Sequence, residues 1–121
     1  MTTTLQPTGQ DFEQMLKMVT GYSLTQIAGA VANYSIADHL AKGPATADEI
    51  AAWEDLEPNA TFRLLRACAS LGLMTFDGTR FSGTPLLGTL QSDVPGSLHS
   101  LAIAFCGDGH WQPWGKFFDA L

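Results

Sequence analysis

The stretch NATFRLLRACASLGLMTFDGTRFSGTPLLGTL, Asn59 to Leu90, decides the fold. Pro58-Asn59-Ala60-Thr61 opens a helix, and Phe62, Leu64, Leu65, Ala67, Cys68, Ala69 and Leu71 carry its apolar content to Gly72. Directly after it, Leu73-Met74-Thr75-Phe76 and Arg80-Phe81-Ser82 flank Asp77-Gly78-Thr79. An Asp-Gly between two short β-prone runs is a strong local hairpin signal, because tight hairpin turns need residues that tolerate positive φ. The stretch therefore predicts a helix running straight into a hairpin.

Upstream, Thr46-Ala-Asp-Glu49 is a capping box that opens a helix reaching Trp53. Before that, Tyr34 to Ala41 predicts a short helix ended by Gly43-Pro44. Helix, helix, helix, hairpin is the order of a winged helix-turn-helix. From Asp11 onward Phe12, Met15, Leu16, Val19, Tyr22, Ile27, Ala30, Val31 and Tyr34 recur at three- and four-residue steps, predicting a long N-terminal helix. Residues 1–10 read as a disordered arm, 11–96 as the winged-helix domain and 97–121 as a further helical segment. Pro85 to Pro95 reads as a connector, and Ser97 to Phe105 as helix with Leu98, Leu101, Ala102 and Phe105 on one face. The predicted fold class is mainly α, with a small β-hairpin and extra helices at both ends.

Composition narrows the function. With 12 acidic against 6 basic residues the formal net charge is −6, a field that disfavours nucleic acid. Only Arg63, Arg66 and Arg80 are basic on the third helix and wing, and Glu54, Asp55 and Glu57 crowd its entrance. A winged-helix DNA-binding regulator is thus the weakest reading. Cys68 and Cys106 form no metal spacing or CxxC pair, and no signal peptide or membrane-length apolar run is visible. A cytoplasmic protein without a metal or membrane partner is expected. The long first helix has more apolar surface than its own domain covers, which predicts a homodimer through Phe12, Met15, Leu16, Val19, Tyr22, Ile27, Val31 and Tyr34.

Three pieces carry a family resemblance: AGAVANYSIADHLAKGPATADEIA (Ala28 to Ala51), the Asn59 to Leu90 stretch, and SLHSLAIAFCGDGHWQPWGKFFDAL (Ser97 to Leu121). Together they resemble the N-terminal dimerisation domain of the S-adenosylmethionine-dependent O-methyltransferases of small-molecule biosynthesis, of the plant caffeate and bacterial polyketide type. The resemblance implies an intertwined dimer and a domain that forms part of the wall of an aromatic substrate's pocket. It also implies a catalytic domain, following residues 97–121, that holds S-adenosylmethionine and the general base. No Gly-rich turn after a parallel strand occurs in this sequence, so no cofactor and no catalytic residue is expected within it.

The candidate substrate-side residues are Phe105, His110, Trp111 and Trp114. Trp111 and Trp114 read either as packing anchors or, as the resemblance implies, as an aromatic wall for a planar substrate. His110 follows the Gly107-Asp108-Gly109 turn, where a histidine is exposed, caps a helix or touches substrate. Asp108 reads as an N-cap. His39 and His99 stand alone, with no carboxylate or cysteine at metal-ligand spacing. A stand-alone dimeric ligand-binding or protein-interaction module is the alternative. A different reaction on the same scaffold also stays open, since fold does not fix chemistry.

Overall fold

The computed structural model describes residues 4–121; residues 1–3 of the expected disordered arm lie outside the described residues. Helix α1 spans Gly9–Val19 and Thr8 caps it, so Gly9 and Gln10 of that stretch are helical. Thr8 and Asp11 form a reciprocal capping box: the Thr8 N–H donates to Asp11 Oδ2 at 2.9 Å, and the Asp11 N–H donates to Thr8 Oγ1 at 3.3 Å.

The continuous apolar pattern from Phe12 to Tyr34 is two helices, not one. α1 stops at Thr20, and α2 spans Gly21–Asn33. The cause is local. The Thr20 hydroxyl donates back to the Leu16 carbonyl at 2.7 Å, and Gly21 follows with the weakest helix preference of any residue but proline. Ser35, in the left-handed region at φ 54°, turns the chain into α3, Ile36–Ala41.

α4 (Ala47–Glu54) starts at the expected Thr46–Glu49 capping box and ends at Asp55, which takes φ 56°. α5 (Pro58–Ser70) begins with proline at its first position and Glu57 as its cap. Its C-terminus closes in a Schellman motif: Gly72, at φ 82°, donates to Ala69 O, and Leu73 N–H donates to Cys68 O at 3.0 Å. That bond aims the chain into β1 (Met74–Phe76), which pairs antiparallel with β2 (Phe81–Gly83) in the register Phe76 opposite Phe81. Asp77 Oδ1 accepts from the N–H groups of Thr79 and Arg80 at 2.8 and 2.7 Å, fixing the turn. Ala45 exchanges backbone bonds with Phe81, adding a third strand position to the wing.

The core lies between α2, α3, α4, α5 and the hairpin, around Val31, Ile36, Ile50, Leu65, Cys68 and Phe81, all fully buried. The expected connector after the wing contains a short helix, α6 (Pro85–Gly88), which seats Leu87 in that core. α7 (His99–Cys106) then packs along α2, and α8 (Asp108–Gly115) and a 3₁₀ turn over Phe117–Ala120 follow. α7 approaches α2 closely at Gly29, and Gln26 Nε2 donates to Cys106 O at 3.2 Å across the seam. The architecture is a winged helix-turn-helix with additional helices before and after it. Among the described residues no helix is long and apolar enough to cross a membrane.

Candidate functional site

Two surfaces emerge from these elements. The first is the outer face of α1. It has no buried residue, and Phe12, Met15, Leu16 and Val19 are each 55–66 % exposed. Their i, i+3, i+4, i+7 spacing puts them on one stripe. Tyr22 and Leu24 of α2 extend the exposed apolar surface, and Leu24 had no distinguishing periodic signal of its own. The expected interface set needs one correction. Val31 is fully buried in the chain's own core and has no surface to offer a partner. Ile27 and Tyr34 are half-buried against the same core. The reason lies past the break at Thr20: α1 stands free, whereas the far end of α2 is packed by α3 and α7.

The second surface is an open groove of about 950 Å³ between the α1–α2 junction and α8. Its walls include Met18, Tyr22, Thr25, Phe105, Trp111 and Trp114, with Gln112 and Lys116 as polar members. Three of the four expected substrate-side residues are therefore gathered here. The Trp111 ring tilts against Tyr22 with centroids 6.4 Å apart, and Trp114 tilts against Phe117 at 5.2 Å. Trp114 is 70 % exposed, so its face is not consumed by packing. His110 does not line the groove; its ring lies on Phe105 at 4.6 Å. Asp108 is not the N-cap. Gly107, extended at φ −79°, ψ 166°, takes that place, and Trp111 N–H donates to its carbonyl at 2.8 Å. Met18, Gly21, Thr25, Gln112, Gly115 and Lys116 had no motif to mark them as groove residues, since a surface shared by two helix ends leaves no spacing in the chain.

Elsewhere, His39 is less isolated than its sequence neighbours suggest. Its Nε2 lies 2.6 Å from Glu54 Oε2, and its ring stacks on Trp53 at 5.0 Å. Fifteen residues separate His39 from Glu54, so only the packing of α3 against the end of α4 pairs them. No three His, Cys, Asp or Glu side chains cluster for a metal among the described residues. Burial pushes the Cys68 thiol up to about 11, the behaviour of an inert core cysteine.

Comparison with known proteins is specific. The O-methyltransferase dimerisation domain family matches residues 16–91. The O-demethylpuromycin-O-methyltransferase of Streptomyces alboniger is 40% identical over 106 residues, 87% of this chain and 28% of the relative. Among solved structures, LaPhzM superposes with a TM-score of 0.83 at 31% identity, over 88% of this chain and 32% of that one. Human N-acetylserotonin methyltransferase, solved in complex with SAM, gives a TM-score of 0.82 at 25% identity, over 97% of this chain and 36% of that one. The chain thus spans about a third or less of the length of these relatives. It belongs to the O-methyltransferase dimerisation domain family.

Proposed function

We propose that this chain is the dimerisation and substrate-pocket portion of an S-adenosylmethionine-dependent O-methyltransferase of natural-product biosynthesis. It pairs with a second copy of itself through an intertwined arrangement of α1 and the start of α2. The groove beside α8 forms part of the wall on which an aromatic small-molecule substrate rests. The observation that carries this reading is the free α1, whose apolar stripe is uncovered by its own domain. Isologous burial against an identical stripe is the symmetric way to remove such a surface from water. The likeness to the O-demethylpuromycin-O-methyltransferase supports the chemistry assigned to the whole enzyme.

Methyl transfer itself is assigned to other parts of the enzyme. Doubly wound donor-binding folds hold their ligand beyond the carboxyl ends of parallel strands. Among the described residues the sheet is a two-stranded antiparallel hairpin, and pairing and a wall are the roles assigned to them. Nucleic acid is not among the assigned partners. Glu57 accepts from the N–H groups of Asn59 and Ala60, placing a carboxylate where a DNA phosphate would meet α5. The cytoplasm is the assigned compartment, in keeping with two unpaired cysteines.

Sedimentation velocity at micromolar concentration tests the proposal. A dimer is expected, and a monomer across that range would overturn the interface.

A further inference from the structure

We infer that the groove selects planar aromatic ligands bearing a carboxylate, and that Lys116 is the residue that recognises that charge. This rests on the groove being a ligand wall, as proposed above. The groove is lined by the aromatic rings of Tyr22, Phe105, Trp111 and Trp114, which suits a flat ring. The remaining lining groups are neutral except Lys116. The chain has 12 carboxylates and 6 cations, yet none of the carboxylates lines this groove and one of the cations does. Among the described residues the one ion pair is His39–Glu54, so the Lys116 charge has no carboxylate partner.

Lys116 is also the C-cap of α8, its N–H directed to the carbonyls of Pro113 and Trp114. A cation is favourable at a helix C-terminus, and that explains a lysine at this position. It does not supply a counter-charge, and the groove residues from α1, α2 and α7 are all uncharged. A ligand's charge supplies one. At neutral pH a phenol or amide substituent is uncharged, whereas a carboxylate is ionised and complements an unpaired ammonium. Because the groove is open and Lys116 is exposed, the preference is modest. Exposed ion pairs correspond to roughly a two- to fivefold change in affinity.

The test is a tryptophan-fluorescence titration of the 121-residue chain with two ligands of matched shape, 2-naphthoate and 2-naphthamide. Naphthoate is expected to bind about two- to fivefold more tightly at low ionic strength, with the difference shrinking as salt is added. Lys116→Gln should equalise the two ligands, Lys116→Arg should keep the preference, and Trp114→Ala should weaken both. If both ligands bind alike, or if the preference survives in Lys116→Gln, the charge assignment is wrong and the groove stands. If neither ligand binds, or Trp114→Ala changes nothing, the groove reading fails and takes this inference with it.

Discussion

Gly29 is the residue on which the seam between α2 and α7 depends. A Cβ built there would lie 2.2 Å from Cys106 Sγ and 2.4 Å from Cys106 Cβ, far inside contact distance. The Cys106 side chain cannot swing clear, because its own Cβ is one of the clashing atoms. Gly29→Ala should therefore push α7 outward and destabilise the fold by about 1–3 kcal/mol, the usual range for overpacking a close contact. Urea denaturation measures this, and Cys106→Gly in the same chain should restore part of the loss. An unchanged midpoint in Gly29→Ala would mean that α7 is not held at this distance in solution. The consequence reaches function, since α7 carries Phe105 and leads into the tryptophans of the groove wall.

At the scale of elements, the helices and wing are held at their ends by carboxylates on backbone N–H groups. Asp11 accepts from Thr8, Glu49 from Thr46, Glu57 from Ala60 and Asn59, and Asp77 from Arg80 and Thr79. Those N–H groups hold all four acids below their ordinary values. The sign follows from which state prefers the ionised form. A folded value below the unfolded one gives a contribution that is complete above the unfolded pKa, 4.5 for glutamate and 3.8 for aspartate, and is lost as pH falls through the folded one. The urea midpoint should thus begin a cap-dependent decline below about pH 4.5. The double substitution Glu49→Gln, Glu57→Gln should be less stable at neutral pH and decline less steeply in acid. An equally steep decline would place the acid sensitivity elsewhere.

For the whole molecule the governing feature is an arm that its own domain does not cover. α1 is tied to the body through the Thr20–Gly21 junction and contributes no side chain to the core. Leu16→Asp puts a charge in the middle of the exposed stripe and removes nothing from the fold. It should leave the unfolding transition of the monomeric unit nearly intact while weakening dimerisation by about a hundredfold or more, as loss of a central interface anchor does. Concentration-dependent sedimentation reads this directly. Unaltered dimerisation in Leu16→Asp would move the interface off α1. Met18 and Tyr22 border both the stripe and the groove, so pairing and the shape of the groove are coupled through one junction.

What local sequence determines is visible in the Thr46–Glu49 box, the Pro58 start of α5, the Gly72 stop and the Asp77-Gly78 turn. Each is a bond or a dihedral preference satisfied within a few residues, so composition and spacing suffice to read it, and the winged-helix order follows. The hairpin around Asp77-Gly78 and the aromatic character of the Trp111–Trp114 segment were legible for the same reason, whereas the register that sets Phe76 opposite Phe81 was not. Other features depend on distances that no local pattern encodes. Periodicity alone placed Val31 on the same stripe as Phe12, because a break of one threonine and one glycine barely disturbs an apolar repeat. Packing by α3 and α7 covers the far end of α2, where Val31 joins the core, and leaves Phe12's helix free. Likewise His39 meets Glu54, and Lys116 joins Tyr22 across one groove, only when helices far apart in the chain are brought together. Short-range hydrogen bonds and turn geometry belong to the sequence; which apolar faces are covered, and which side chains share a cavity, is settled by the tertiary contacts that compete to cover them.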